Sequence, residues 1–225
     1  MLFEKDLFLQ KFVKKNCYKS KNKKSLSYLK KLKKPYFLTY VSKKKLTKKE
    51  QEHFNCKFYS KLIIFKKILT KKEAVLNKCR LASKKDKVSL EKIINKSKNY
   101  SRFFQDNRIN KRNIKKFRKE WIIGYYKNKK NRKLIICEIK KKIAGFILLK
   151  DDTNYLRIEQ IITNPRFMRK GVGSSLISYV NNIYFSNRNY LSAGTQSNNQ
   201  HAIKFYKKNK FFKENQLFYQ HIYSN

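Results

Sequence analysis

Two of the chain's five glycines, Gly171 and Gly173, lie between a strand-like and a helix-like segment. LRIEQIIT precedes them, and GSSLISYVNNIYF follows, with Leu176, Ile177 and Val180 on one helical face. Glycine lets the backbone approach a ligand, and the first turn of a helix has free N–H groups. The junction therefore predicts either a loop that binds a diphosphate or a tight turn that needs small residues. No GxxxxGKS/T motif is present, and the pair does not form GxGxxG in the first βα unit.

Hydrophobic patterning predicts the element order along the chain. From residue 78 onward the order is β-α-α-β-β-β-α-β-α-β, an α/β fold around a central sheet. The N-terminal third has two more strand-like segments, PYFLTYV and CKFYSKLIIFKKI. Between them, Thr47 and Glu50 have capping-box spacing and predict a short helix. Composition changes near residues 70–78, so we expect a small N-terminal α/β domain over 1–75 and a second domain over 78–225.

The charge of the chain is strongly positive. Lys and Arg number 58 against 14 Asp and Glu, which gives a net charge of +44. The lysines are spread along the whole chain, so we interpret the charge as a compositional bias that permits anionic ligands. No basic stripe interleaved with aromatic residues stands out from this background, and we expect no specific nucleic-acid partner.

The cysteines and histidines do not have the spacing of a metal site. Cys17, Cys56, Cys79 and Cys137 form no CxxC pair, so we expect no metal and reduced thiols. The N-terminal segment has acidic residues and no unbroken apolar run, and the longest aliphatic runs are about four residues, as in LIIF. We therefore expect no membrane span and a cytoplasmic location.

Two segments resemble motifs of the GNAT N-acetyltransferases. IITNPRFMRKGVGSSLI is similar to the acetyl-CoA signature, an N/D-P turn followed by an R/Q-x-x-G-x-G/A loop that opens a helix. NQHAIKFYKKNKF is similar to the later N-x-x-A-x-x-x-Y-x-x-x-G-F segment and supplies Asn199 and Tyr206. Met168 replaces the R/Q of the first motif, and Lys210 replaces the Gly of the second. The resemblance, over residues 78–225, implies a GNAT fold: a mixed central sheet splayed at the acetyl-CoA slot, flanked by helices, here with a small α+β N-terminal domain.

A narrower resemblance concerns the acceptor. GTQSNNQHAIKFYKKNKFFKENQLFYQHIY and YSRFFQDNRINKRNIKKFRKEWI look like segments of dTDP-fucosamine (dTDP-4-amino-4,6-dideoxygalactose) N-acetyltransferases. This resemblance implies an amino sugar on a nucleotide carrier as the amine acceptor. Alternatives stay open: a protein N-terminus or another small amine as acceptor, a nucleic-acid-binding protein that uses the basic surface, or an inactive domain. A homodimer also stays open.

The chemistry that the resemblance implies is direct attack of a primary amine on acetyl-CoA, without a covalent enzyme intermediate. Tyr206 is the candidate general acid for the departing thiolate, because a phenol has a pKa near 10. Glu159 is the candidate base; by strand alternation it would share a face with Ile161 and Thr163. The alternative for Glu159 is a surface carboxylate paired with a lysine, and for Tyr206 it is a packed position in an amphipathic helix.

The resemblance also implies the residues that hold each substrate. Asn199, two helical turns before Tyr206, is expected to orient the coenzyme arm, and Arg102 and Gln196 are candidates for gripping the acceptor. The expected coenzyme-binding residues are Ile161, Ile162, Thr163, Arg169, Lys170, Gly171, Val172, Gly173, Ser174 and Asn199.

Overall fold

Ten β-strands form one mixed sheet in the computed structural model, which describes residues 2–70, 72–127 and 131–224. The strands are β1 Glu4–Lys5, β2 Asn16–Ser20, β3 Tyr36–Ser42, β4 Cys56–Ile68, β5 Lys78–Leu81, β6 Arg132–Ile139, β7 Lys142–Asp152, β8 Tyr155–Thr163, β9 Tyr190–Gln196 and β10 Phe212–Tyr223. Their order in the sheet is β1-β2-β3-β10-β4-β9-β8-β7-β6-β5. The pairs β2–β3 and β8–β9 are parallel, and the other neighbours are antiparallel.

Seven α-helices flank the sheet within the described residues. They are α1 Leu7–Val13, α2 Lys48–His53, α3 Lys87–Lys96, α4 Arg102–Gln105, α5 Lys111–Lys127, α6 Val172–Tyr184 and α7 Gln200–Lys208. The capping box before α2 is confirmed: Glu50 N donates to Thr47 Oγ1 at 3.3 Å, and Thr47 N donates to Glu50 Oε2 at 2.8 Å. None of the helices in this part of the chain is long and apolar enough to cross a membrane. The mixed α/β class is confirmed, and from residue 78 onward the element order matches the prediction except for the short helix α4, which was not predicted.

Each face of the sheet carries its own hydrophobic core. Ile135 and Ile136 are neighbours on β6 and both fully buried, but they point to opposite faces, as strand alternation requires. The core on Ile135's side contains Leu176 of α6 and Tyr206 of α7. On Ile136's side the core includes side chains of α3 and α5, such as Ile122. The helix that follows the glycine junction is therefore fixed against the sheet by its apolar face.

The expected domain boundary lies in the connection between β4 and β5. Strands from both sides of this connection form one sheet, with β4 between β9 and β10. A hydrophobic cluster also combines Phe37 of β3 with Phe103 of α4 and Ile114 of α5. That residues 1–75 form a separate domain stays a prediction; their strands continue the same sheet as those of residues 78–224.

A buried polar group joins α4 to the last strand. Asp106 and His221 are both fully buried, and His221 Nδ1 lies 2.7 Å from Asp106 Oδ2. Tyr223 Oη donates to the same carboxylate oxygen at 2.6 Å. Burial lowers the pKa of His221 to about 4. Burial opposes the charge on Asp106, but the hydrogen bonds from His221 and Tyr223 outweigh it and lower its pKa. The stable arrangement is a neutral imidazole that donates to a carboxylate.

This arrangement predicts acid-sensitive stability. Both groups have a lower pKa in the folded than in the unfolded state, so the contribution of His221 is lost as the pH falls below about 6.5, and that of Asp106 is lost only as the pH falls below about 3.8. Between pH 7 and 4.5, His221 should account for about 2 to 3 kcal/mol of lost unfolding free energy. Urea titrations of His221→Gln should show a shallower dependence on pH, whereas His53→Gln, at an exposed position, should keep the wild-type slope. Equal slopes in all three proteins would contradict the assignment.

Candidate active site

The parallel pairing of β8 and β9 stops halfway along the strands. It runs from Tyr155 opposite Tyr190 to Ile158 opposite Ala193 and goes no further. Beyond that point, residues 159–163 of β8 and 194–196 of β9 line a cleft of about 1110 Å³. The edge of β8 that faces this cleft is therefore free of strand partners, and its backbone groups are available to a ligand. This is the splayed sheet that the family resemblance implied.

A β-bulge at Glu159 lies where the two strands part. Ile158 is opposite Leu149 of β7 and Gln160 is opposite Leu148, so Glu159 is the extra residue. Alternation is interrupted at a bulge, and Ile161 and Glu159 consequently face opposite sides: Ile161 packs into the α6 core, and Glu159 contacts α5. The expectation that Glu159 shares a face with Ile161 and Thr163 is wrong, because strict alternation assumes an uninterrupted ladder.

Glu159 is held at the wall of the cleft. Tyr125 Oη of α5 donates a hydrogen bond to Glu159 Oε2, and Arg157 Nη2 lies 3.6 Å from Oε1. Burial and the charge of Glu159 both raise the pKa of Tyr125, which therefore remains a donor. The side chain of Glu159 is 15% exposed. Its charged partner is thus Arg157, and the alternative of a surface carboxylate paired with a lysine does not describe it.

The loop after β8 has two residues with left-handed backbone. Arg169 has φ 64° and Gly171 has φ 71°, and α6 begins directly afterwards. The first intrahelical hydrogen bond runs from Ser175 N to Gly171 O at 2.9 Å, so the amides of residues 172–174 precede it and have no intrahelical acceptor. Arg169 lines the cleft, whereas residues 170–174 lie beyond its lining. The start of α6 therefore presents several N–H groups that could bind an anion.

The two loop glycines are required for different reasons. Gly171 adopts a positive φ, which side chains disfavour. A Cβ on Gly173 would lie 2.7 Å from Phe205 Cε2 of α7, so Gly173 allows α6 to pack against α7. Gly173 thus has a packing role, and its approach to the coenzyme stays a prediction. Val172, also expected at the coenzyme, has its side chain buried in the α6 core, which leaves only its backbone for a ligand.

Asn199 and Tyr206 line the cleft from α7. Asn199 is the N-cap residue: Ala202 N donates to its Oδ1 at 3.2 Å, and its Nδ2 donates to Thr195 Oγ1 at 3.2 Å. It therefore lies before the helix and is fixed to β9, which corrects its expected place two turns along the same helical face. The ring of Tyr206 stacks on Phe65 at 5.5 Å.

The hydroxyl group of Tyr206 is kept protonated by its surroundings. The residue is 4% exposed, and burial raises the pKa of its phenol. Among the described residues, no side chain or backbone group forms a hydrogen bond with this hydroxyl. Tyr206 therefore combines the two positions expected for it. Its ring packs in the core, and the residue also lines the cleft.

Arg102 is a buried cation of this cleft that forms no ion pair with a described residue, although the charge of Asp6 acts on it. Its guanidinium carbon lies 4.1 Å from the ring centre of Phe103 and 4.3 Å from that of Tyr219. Its Nε atom is buried and has no hydrogen-bond partner in the described chain, and burial lowers the pKa of the group. Gln196, the other expected acceptor residue, also lines the cleft and has a buried Oε1 without a partner. Unsatisfied polar groups of this kind are costly unless a ligand completes them.

Several residues of the cleft were not identified from the sequence. Arg118 of α5 donates to Ser97 O at 3.3 Å, and burial lowers its pKa to about 10. The N-terminal segment contributes Asp6 and Lys19, which form an ion pair at 2.8 Å. Charged residues that line the cleft are the basic Lys19, Lys96, Lys98, Arg102, Arg118, Arg132 and Arg169 and the acidic Asp6, Glu120 and Glu159. The segment FRKEW, which contains Arg118, is part of the narrower sequence resemblance, but the packing of α5 decides whether the Arg118 side chain faces the cleft.

The family model for the acetyltransferase (GNAT) family matches residues 98–211. The match spans slightly more than half of the chain, and the chain belongs to the GNAT family of acetyltransferases. It is an acyltransferase, and the family uses acetyl-CoA as acetyl donor. A comparison with curated protein sequences gives no match.

Solved structures share the fold at low identity. A functionally unknown conserved protein from Staphylococcus epidermidis ATCC 12228 has a TM-score of 0.71 and 14% identity, covering 97% of this chain and 89% of that chain. A GCN5-related N-acetyltransferase from Sphaerobacter thermophilus has a TM-score of 0.57 and 9% identity, covering 84% and 60%. PaiA N-acetyltransferase from Thermoplasma acidophilum, in complex with coenzyme A, has a TM-score of 0.50 and 17% identity, covering 65% and 98%. At these identities the similarity establishes the fold.

The residues present fit acetyl-CoA. The free edge of β8 after Ile158 suits the amide groups of the pantetheine arm, and the amides at the start of α6 suit the diphosphate. Arg169 adds a positive charge between these two elements. In the described ranges no group of three or more His, Cys, Asp or Glu side chains could hold a metal ion.

Acetyl-CoA should raise the thermal stability of the protein. At a hundredfold excess over its Kd, the expected gain is about 2.7 kcal/mol. Gly171→Val should reduce or remove the gain measured by differential scanning fluorimetry, because a β-branched residue disfavours φ 71° and moves the loop. Lys140→Val introduces the same kind of strain at φ 48° in the β6–β7 turn and should keep the full gain. An unchanged gain in Gly171→Val would exclude the loop as the binding element.

Proposed function

We propose that this enzyme acetylates the primary amine of an amino sugar on a nucleotide carrier, using acetyl-CoA in a direct attack. The observation that carries the proposal is one cleft lined by Tyr206, Glu159 and the unpaired Arg102. The structure of the Thermoplasma acetyltransferase with the same fold was solved with coenzyme A, which supports a coenzyme-binding role for this fold. The proposal places the reaction in the cytoplasm and needs no second copy of the chain, since one chain supplies the residues named here.

Glu159 is proposed to take the proton that the attacking amine must lose. The bulge turns its carboxylate toward α5, where Tyr125 donates a hydrogen bond to one carboxylate oxygen and Arg157 lies beside the other. As the nitrogen–carbon bond forms and the carbon–sulfur bond breaks, Tyr206 gives its phenolic proton to the departing thiolate. Its buried position favours the protonated phenol before this step.

The coenzyme is proposed to lie along β8 and end at α6. The backbone of residues 161–163 would bond the pantetheine arm, while Asn199 borders the arm from the N-cap of α7. The diphosphate would bind the backbone amides of residues 169–174, with Arg169 and Lys170 adding positive charge. This arrangement leaves the acceptor the half of the cleft that carries Arg102, Arg118 and Gln196.

An acceptor with phosphate groups would complete this half of the cleft. Arg102 and Arg118 form no ion pair with any described carboxylate, and burial disfavours the charge of both. A planar guanidinium binds phosphate with two parallel hydrogen bonds, so a nucleotide diphosphate is a suitable partner. The second candidate, a protein N-terminus or another small amine, would bring no phosphate to Arg102. Polyamines are disfavoured by the basic lining.

Variants of the two proton-transfer residues should lower turnover without weakening coenzyme binding. Tyr206→Phe and Glu159→Gln should each reduce kcat by roughly 10² to 10⁴, the usual range for acid–base catalysis. The Kd for acetyl-CoA, from isothermal titration calorimetry, should stay near the wild-type value because the lost interactions belong to the transition state. Loss of the Tyr206 hydroxyl should change the unfolding free energy by about 1 kcal/mol or less. Wild-type turnover in Tyr206→Phe would remove this residue from the mechanism.

The acceptor class can be tested with a pair of amines that differ in charge. Arg102→Met and Arg118→Met should lower kcat/KM for a nucleotide-linked amino sugar by roughly 10- to 100-fold, because each removes charge-assisted hydrogen bonds. Activity on the free, uncharged amino sugar should change little. Arg112→Met, on the exposed side of α5, is the matched control. Equal effects on both amines would contradict a phosphate contact, and wild-type activity on a peptide N-terminus would favour the second candidate.

A further inference from the structure

The connection between β4 and β5 runs along α6 and is anchored to it. We call its residues 72–77 the strap. Asn182 of α6 bonds the backbone of Glu73 in both directions: Glu73 N donates to Asn182 Oδ1 at 2.7 Å, and Asn182 Nδ2 donates to Glu73 O at 2.8 Å. The carboxylate of Glu73 accepts from Ser178 Oγ at 3.0 Å and from Lys67 Nζ at 2.6 Å. One end of the strap is thus fixed near the second half of α6.

The other end of the strap is fixed to the start of α6 and to the glycine loop. Asn77 N donates to Ser175 Oγ at 3.2 Å, and Asn77 Nδ2 lies 3.1 Å from the same oxygen. Asn77 Nδ2 also donates to Lys170 O at 3.0 Å. Leu76 lies beside Gly171, with its Cδ1 3.2 Å from the position of a Cβ there. One side-chain amide therefore connects the strap, the first turn of α6 and the loop.

The bond to Lys170 O determines where the next amide points. The peptide unit between Lys170 and Gly171 is planar, and in a trans peptide the carbonyl and the N–H point in opposite directions. Because Asn77 holds the carbonyl toward the strap, the N–H of Gly171 points away from it. Gly171 itself has few steric restraints on rotation, so without this bond the peptide unit can turn.

We propose that Asn77 is a positioning residue that orients the Gly171 amide toward the coenzyme diphosphate. The inference rests on the proposed coenzyme loop and adds a residue outside the two family motifs, and outside the segment that the family model matches. The two anchors of the strap are separate: Asn182 fixes the strap to the helix, and Asn77 fixes the loop to the strap.

The test is isothermal titration calorimetry of coenzyme A on the full chain. Asn77→Ala and Asn77→Asp should raise the Kd roughly 5- to 20-fold, the loss expected for one oriented hydrogen bond. Asn77→Asp keeps the size of the side chain but removes the donor to Lys170 O. In steady-state assays the KM for acetyl-CoA should rise and kcat should stay near wild type, because the diphosphate is remote from the reacting carbonyl.

Asn182→Ala is the matched control, because it releases the other anchor and leaves Asn77 intact. It should lower the melting temperature by a similar amount and keep the wild-type Kd. A wild-type Kd in both Asn77 variants, or an equal rise in Asn182→Ala, would overturn the inference. If the wild-type protein does not bind coenzyme A, the proposed coenzyme loop is wrong. If the wild-type protein and the Asn77 variants bind equally well, only the role of Asn77 is wrong.

Discussion

The parting of β8 from β9 is the constraint on which the site depends. Two parallel strands normally continue their hydrogen bonds along their length, but here the ladder ends at Ile158 and Ala193. The bulge at Glu159 lies at the same point and moves the strand out of register with β7. The free backbone edge, the direction of the Glu159 carboxylate and the opening of the cleft all follow from this local break. The sheet tolerates it because the other edges of β8 and β9 remain paired with β7 and β4.

The two halves of the cleft differ in how their buried charges are compensated. On one side, Glu159 accepts a hydrogen bond from Tyr125 and lies beside Arg157. On the other side, Arg102 has aromatic neighbours and forms no ion pair among the described residues, and the charge of Asp6 compensates its own only in part. A buried cation without a partner is costly, and an anionic ligand offsets that cost. In a chain with so many lysines, this burial and lack of a partner distinguish Arg102 from the general basic surface.

The sequence predicted the fold further than it predicted the geometry of the site. Strand and helix patterns from residue 78 onward predicted every element except the four-residue helix α4, and the capping box predicted α2, because these signals depend on neighbours within a few residues. The prediction of which face Glu159 occupies was wrong, because the residue pattern of a single strand does not reveal a bulge. Asn199 was expected inside α7 but is its N-cap residue, directly before the first helical residue. Arg118 could not be assigned to the cleft, because its direction is set by how α5 packs on α3 and the sheet.

The sequence by itself determined the glycine loop, the helix that follows it and the tyrosine of α7, because each is a short motif whose residues contact one another along the chain. Only the tertiary structure decided that Gly173 serves the contact between α6 and α7, that the strap reaches the loop through Asn77, and that N-terminal residues line the cleft. These relations join residues that are far apart in the chain. They depend on the order of strands in the sheet, in which β4 lies between β9 and β10. Local hydrophobic patterning does not determine that order.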